Sequence, residues 1–266
     1  MNSPTHSNGV AMVTGASAGI GAVYADRLAK RGHDLILVAR DVARLGAVAD
    51  HIRATTGRQV ELLPADLSVK ADVLRVEQRL QSDERIALLV NNAGVGATQA
   101  LVDSDVDQLD HMIQVNVTAL TRLTRAVAPG MIRRGGGAII NISSVVALAP
   151  DLLNGTYGGT KAFVLALTQS LHHELAPHGI QVQAVLPGAT STNFWEVAGK
   201  PVDELPSEIV MDAEEMVDAS LVGFDRNELV TIPALPEAAD WDRLDAARLA
   251  LGPNLSRANA AARYRA

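Results

Sequence analysis

Short apolar runs alternate with longer amphipathic stretches along almost the whole chain. Runs of strand length occupy residues 10–14, 34–39, 59–64, 87–90, 138–142 and 180–186, with a weaker one at 228–232. Helical patterns fill residues 20–31, 41–56, 69–81, 105–134 and 157–176, several of them stopped by glycine at Gly32, Gly57 and Gly135. Strands separated by helices of this length predict βαβ units and an α/β fold with a parallel sheet. Right-handed crossovers then wind helices onto both faces of that sheet. Only 3% of residues are aromatic, so the core is expected to be built from Ala, Val, Leu and Ile. Such side chains suit strands buried on both faces.

No linker or internal repeat interrupts the pattern, which predicts one domain over residues 10–266 after an unstructured lead-in at 1–9. Residues 188–227 carry no strand signal. A long insertion at this place in an α/β chain is expected to be functional, here a substrate lid. Residues 233–266 form a C-terminal tail.

Composition removes several function classes. Lys and Arg number 23 against 30 Asp and Glu, a net charge of −7, which argues against a nucleic-acid or anionic-membrane partner. There is no cysteine, so disulfides and thiolate chemistry are excluded, and a cytoplasmic location is the expectation. The polar N-terminus does not read as a signal peptide. No stretch approaches the roughly 20 apolar residues of a membrane span. No metal site is expected: His172 and His173 are adjacent, and adjacent helix residues do not converge on one ion.

The turn Thr14-Gly15-Ala16-Ser17-Ala18-Gly19-Ile20-Gly21 joins the first strand to the first helix. Gly15 permits a tight turn, Gly19 admits a pyrophosphate, and Gly21 lets the helix lie close to the sheet. The helix start then offers free N–H groups to phosphates. An acid at the end of the second strand would bind the adenosine ribose of NAD. Ala39-Arg40 stands there instead. Arginine holds a 2′-phosphate by a charge-assisted fork, so NADP is favoured over NAD, with Arg44 as a second contact. The competing reading makes Arg40 a solvated residue at a helix start.

Tyr157 and Lys161 lie four residues apart, on one face of a helix. A free tyrosine titrates at about 10, too high for proton exchange near neutrality. A neighbouring ammonium is expected to lower that value and suit Tyr157 to general acid–base work. The spacing alone is common on protein surfaces. Its weight comes from polar residues predicted at the same sheet edge: Asn91-Asn92 after the fourth strand and Ser143-Ser144 after the fifth. Asn116 stands within a helical pattern, where asparagine is a poor former.

Over about residues 10–190 the chain resembles the short-chain dehydrogenases/reductases. Thr14 to Gly21 is similar to the family's T-G-x3-G-x-G turn, Asp66 to its adenine-contacting acid, and Asn91-Asn92-Ala93-Gly94 to its N-N-A-G. Asn116 stands for the helix asparagine. Ser144, at the family's spacing before Tyr157, stands for the catalytic serine, in preference to Ser143. Pro187-Gly188 with Thr192 resembles the segment that holds the nicotinamide carboxamide.

The resemblance implies a Rossmann-type sheet of about seven strands in the order 3-2-1-4-5-6-7. It implies a tetrad of Asn116, Ser144, Tyr157 and Lys161. It also implies cofactor contacts from Gly15, Ser17, Gly19, Ile20, Gly21, Arg40, Arg44, Asp66, Leu67, Asn92, Ala93, Gly94, Tyr157, Lys161, Pro187, Gly188, Thr190 and Thr192. In these roles Ser144 binds the substrate oxygen and Tyr157 exchanges its proton. Lys161 tunes the tyrosine and holds the nicotinamide ribose, while Asn116 supports a water that relays protons. A homodimer or homotetramer through the long helices is implied as well. Gly158 and Gly159 depart from the pattern and suggest close packing against a partner helix.

Val145, Val146, Leu152, Leu153, Ala189, Phe194 and Trp195 are expected to line an apolar pocket. Together these features predict an NADPH-preferring oxidoreductase that interconverts a neutral apolar ketone or aldehyde and its alcohol. A 3-oxoacyl thioester reductase is the alternative enzyme; it calls for a basic docking face, for which Arg122, Arg125, Arg133 and Arg134 are candidates. An NADP-sensing binding module is the non-enzyme alternative. Trp241 is assigned to anchoring the tail or to a subunit contact.

Overall fold

The computed structural model describes residues 8–265. The chain divides into two compact units, one reaching Pro233 and the other running from Ala234. The first seven residues of the expected lead-in lie outside the described residues. Asn8 and Gly9 already belong to the fold: Asn8 N and Nδ2 donate to the carbonyls of Gly32 and Arg31 at 3.1 and 2.8 Å.

The first unit is built on a seven-stranded parallel sheet in the order β3-β2-β1-β4-β5-β6-β7, the order expected. The strands are β1 (Val10–Thr14), β2 (Asp34–Ala39), β3 (Val60–Pro64), β4 (Ile86–Asn91), β5 (Gly137–Ile142), β6 (Ile180–Val185) and β7 (Val230–Thr231). Side chains alternate between two apolar layers, as a strand's period of two requires. Ala11 and Val13 face one layer with Leu28, Leu45, Ile52, Met216 and Leu221. Val10 and Met12 face the other with Val76, Leu80, Leu123, Val127 and Leu171.

The first layer holds α1 (Gly19–Lys30), α2 (Val42–Thr56) and α8 (Ala213–Asp225); the second holds α3 (Lys70–Ser82), α5 (Leu120–Arg134) and α6 (Gly155–Leu175). Several helix starts are capped as their residues dictate. Asp41 accepts from the Arg44 N–H at 3.0 Å, and Asn154 accepts from Thr156 and Tyr157 at 2.9 and 3.3 Å.

The helix expected over 105–134 is not uniform. It consists of α4 (Val106–Ile113), a π-helical turn (Gln114–Ala119) and α5. Isolated π-turns cost regular hydrogen bonds and concentrate at functional sites. Asn116 lies in this one.

The insertion at 188–227 contains the one-turn α7 (Phe194–Val197) and α8. A bridge between Thr190 and Met211 closes it at its base. The second unit contains α9 (Ala238–Ala250), which has no buried side chain. No helix among the described residues is long and apolar enough to cross a membrane.

Candidate active site

All strands run parallel, so the ends of β1, β4, β5 and β6 share one edge. The residues that follow them meet there. Gly15 and Gly19 take φ values of 67° and 52°, a region that costs a β-carbon-bearing residue about 1–2 kcal/mol. A Cβ on Gly21 would lie 2.3 Å from the Gly15 carbonyl oxygen. The turn is bound to the loop after β4. Thr14 Oγ1 accepts from the N–H groups of Asn92 and Ala93, each at 3.0 Å, and Asn92 Nδ2 donates to the Thr14 carbonyl at 2.9 Å.

The N-terminus of α1 has no side-chain cap, unlike α2 and α6. A glycine cradle that β-carbons would fill, beside uncapped N–H groups, fits the pyrophosphate of a dinucleotide. Ser17 and Ile20 stand half-buried in the turn. Thr192 closes it from above, with its Cγ2 3.1 Å from where a Gly19 Cβ would be.

Arg40 follows β2 with a largely exposed side chain, 3.8 Å from the Asp66 carboxylate. Burial pulls the Asp66 carboxyl upward, but hydrogen bonds from Ser68 and the Arg40 charge hold it below the usual range. Leu67 is buried beside it. Arg44 is turned to its own helix cap, 3.3 Å from Asp41.

The proton-handling residues are deeply set. Tyr157 is 5% exposed and Lys161 6%. The Ser144 hydroxyl acts on the Tyr157 phenol, drawing its titration downward, and donates to the Pro187 carbonyl at 3.3 Å. Lys161 Nζ lies 5.7 Å from the centre of the tyrosine ring and donates to the Ile142 carbonyl at 3.0 Å. The expectation that lysine depresses the tyrosine is not met in the protein alone. Burial pushes Tyr157 up to about 12, outweighing the downward pull of Ser144, and brings Lys161 down to about 8. Desolvation disfavours each charged form, and the ammonium faces a backbone carbonyl rather than the phenolic oxygen.

Asn116 is 2% exposed. Its Oδ1 accepts from Val95 N at 2.9 Å, and its Nδ2 donates to the Val95 carbonyl at 2.8 Å and to Thr160 Oγ1 at 3.1 Å. Gly94 lies between the polar groups: a Cβ there would be 3.2 Å from Asn116 Oδ1 and 3.5 Å from Lys161 Nζ. Ser143 has a different task from Ser144. It donates to the Lys161 carbonyl at 2.7 Å and pins α6 to β5.

Thr160 and Ser143 have no distinguishing signal in the sequence. Behind them, Asn91 Nδ2 donates to Thr124 Oγ1 and Asn141 Oδ1 at 3.0 and 2.9 Å, and Asn141 donates to Thr168 at 2.9 Å. Asn141, a polar residue within an apolar strand run, was the available signal for this buried network.

An apolar wall surrounds the tyrosine: Leu109, Met112 and Val146, with Val95, Ala97, Leu153 and Phe194 packed on them. Val145 and Ala189 are half-buried, and Leu152 is 62% exposed. Thr190 and Pro187 are buried and Gly188 is half-buried. Trp195 is 8% exposed, and its Nε1 donates to the Thr190 carbonyl at 3.0 Å. It holds the insertion together, while Phe194 carries the surface toward Tyr157. Gly158 packs on Pro150, 3.2 Å from its would-be Cβ, and Gly159 meets nothing within 4 Å.

The chain belongs to the short-chain dehydrogenase family, whose model matches residues 9–202; it is an oxidoreductase of that family. Its structure is similar to that of a short-chain dehydrogenase from Sphingobium yanoikuyae, solved in complex with NADPH. The two share 53% sequence identity and a TM-score of 0.94 over 97% of this chain and 100% of that one. It is also similar to the bulky-bulky ketone specific alcohol dehydrogenase from Comamonas testosteroni, at 46% identity and a TM-score of 0.91, over 98% and 100% of the two chains. Among curated sequences it is 37% identical over 202 residues to the very-long-chain 3-oxoacyl-CoA reductase of Anas platyrhynchos, covering 74% of this chain and 64% of that protein.

Proposed function

We propose that the protein is an NADPH-dependent reductase of neutral, apolar ketones bearing a large substituent on each side of the carbonyl, and the matching alcohol dehydrogenase in reverse. The observation that carries this reading is the burial of Ser144, Tyr157 and Lys161 together, with the lysine ammonium 5.7 Å from the centre of the tyrosine ring, placed beside the glycine cradle and below Phe194. The Sphingobium structure's NADPH and the Comamonas enzyme's substrate class support it.

Held along the turn from Gly15 to Gly21, NADPH would supply the hydride chemistry of the reduction. Ser144 Oγ donates to the carbonyl oxygen and fixes its place. Tyr157, protonated at neutral pH, gives its proton to that oxygen as charge develops there. Preorganised donors in a buried site supply much of the barrier lowering. Lys161 steadies the tyrosinate that results and returns a proton to it. Asn116 and Thr160 hold α6 against the loop after β4, so that these groups stay in register. The insertion closes the pocket from above. Assembly into a homo-oligomer is part of the proposal, with exposed Val106 and Ile113 on α4 available for contact.

The test is NADPH consumption across ketones with one or two large substituents. Turnover is expected with members of both groups, and Tyr157→Phe should reduce it by about 10²–10⁴-fold. Absence of turnover on the whole panel overturns the reading. Cofactor binding without turnover, unchanged by Tyr157→Phe, would favour a dinucleotide-sensing module instead.

The likeness to 3-oxoacyl-CoA reductases favours a second reading, reduction of 3-oxoacyl thioesters. Its docking arginines are poorly placed. Arg133 and Arg134 end α5 where it leads into β5, at the sheet edge opposite the site. Arg134 donates to the Ile86 carbonyl at 2.7 Å, and Arg122 is held by Glu77. Charge reversal at Arg133 and Arg134 should therefore affect carrier-bound and small substrates alike; selective loss on carrier-bound ones would restore the second reading.

A further inference from the structure

Gly96 has no backbone reason to be glycine. Its φ lies outside the left-handed region, and the space its side chain would take belongs to an aromatic ring. A Cβ on Gly96 would lie 2.2 Å from Phe194 Cζ and 2.9 and 3.1 Å from the two Cε atoms. The tip of the Phe194 ring therefore rests directly on the Gly96 backbone.

The ring has few other places to go. Its centre is 5.8 Å from that of the Tyr157 ring, at an interplanar angle of 44°. Trp195 meets it edge-on, 5.7 Å between centres at 90°. Trp195 is itself fixed by its hydrogen bond to the Thr190 carbonyl. The chain just beyond is fastened to the loop that carries Gly96: Thr98 N and Oγ1 donate to the Ala198 carbonyl at 3.2 and 2.9 Å. Two segments distant in sequence, 95–98 and 190–198, are thus joined by the Thr98–Ala198 hydrogen bonds and by a glycine–phenylalanine contact beside Tyr157.

We infer that Gly96 and Phe194 together form a size filter for one substituent of the ketone, Phe194 being the wall and Gly96 the residue that sets where the wall stands. The inference rests on the ketone-reductase reading. Pressed from Gly96 and bounded by Trp195, the ring of a variant with a methyl group at position 96 moves into the space beside the carbonyl and narrows it. Removing the ring widens that space and makes the identity of residue 96 immaterial.

The test is a double-mutant cycle of Gly96→Ala and Phe194→Ala, read as the ratio of kcat/KM for a ketone with two large substituents to that for a methyl ketone. Gly96→Ala should lower this ratio about tenfold, the scale on which a pocket discriminates one or two methylene groups. Phe194→Ala should raise it, and the double variant should match Phe194→Ala. Phe194→Leu serves the same purpose if the alanine variant does not fold. In a Trp241→Phe background, the emission of Trp195 reports the ring's position without turnover. Gly96→Ala should shift that emission, and only while Phe194 is present.

An unchanged ratio in an active Gly96→Ala variant overturns the inference, as does an effect of equal size with and without Phe194. A wild type that reduces no ketone removes the functional reading, and the selectivity claim with it. The emission contrast then still decides whether Gly96 positions the ring.

Discussion

The Asn116 side-chain amide donates to Thr160 Oγ1 at 3.1 Å, joining the π-turn before α5 to the helix that carries Tyr157 and Lys161. Thr160 in turn donates to the Tyr157 carbonyl at 2.8 Å. This places one threonine between two members of the proton system without contact with a substrate. Thr160→Val keeps the shape and removes the acceptor, leaving a buried amide donor short of a partner at a cost of about 1–3 kcal/mol. The expected outcome is a lower melting temperature and a reduced kcat with KM little changed. A variant that loses stability at wild-type kcat would show that the link is structural alone.

Stability should depend on pH through the two buried groups, in opposite senses. Lys161 titrates near 8 in the folded protein against 10.5 as a free group. Between those values the unfolded chain binds a proton that the native one has released, so its contribution to stability grows as pH rises and is lost as pH falls through 8. Tyr157, raised to about 12 from 10.0, contributes stability fully present below pH 10 and lost as pH climbs toward 12. From pH 8 to 10 the wild type should therefore gain on Lys161→Met by up to roughly 1.4 kcal/mol per pH unit. Denaturant titrations of both proteins at several pH values provide the check; parallel profiles would contradict it.

Arg40 should decide between the two nicotinamide dinucleotides. Its exposed guanidinium lies at the end of β2 beside Asp66, where a 2′-phosphate would add a charge-assisted contact worth about 1.5–3 kcal/mol. Calorimetric titration should show Arg40→Ala weakening NADPH binding by about 10- to 100-fold while NADH binding barely changes. Equal affinities of the wild type for both would remove the assignment.

Gly21 offers the sharpest steric test of the phosphate turn. A methyl group there meets the Gly15 carbonyl oxygen at 2.3 Å, a backbone atom that cannot rotate aside. Gly21→Ala should destabilise the protein by about 1–3 kcal/mol, the usual cost of overpacking, and weaken dinucleotide binding. Gly46→Ala is the control, since its Cβ would meet nothing within 4 Å. Similar melting temperatures for the two variants would mean that the turn yields more easily than its geometry implies.

Much of the fold was legible because its determinants are local. Apolar runs such as residues 34–39 and the glycine stops at Gly57 and Gly135 depend on neighbours a few positions away. The glycine turn and the Tyr157–Lys161 spacing are local too, which made the site findable.

What escaped depends on contacts between distant segments. The pattern over 105–134 reads as one helix, whereas the π-turn within it coincides with the engagement of Asn116 with Val95 and Thr160. Ser143 and Ser144 differ in task because one faces the Lys161 carbonyl and the other Pro187 and Tyr157. The upward displacement of Tyr157 was hidden for the same reason: burial is a property of the assembled wall, and spacing along a helix reports only on proximity.

The π-turn has a mechanical meaning as well. One extra residue in a helical ladder rotates everything that follows by roughly 100° about the axis, given 3.6 residues per turn. Leu109 and Met112, before it, point to the tyrosine pocket, whereas Leu123, Val127 and Met131, after it, point to the sheet. The turn works as a phase shifter, letting a single rod serve the pocket at one end and the foundation at the other. Asn116 stands at the joint, so the residue that braces the helix of Tyr157 and Lys161 also sets the phase between the two halves.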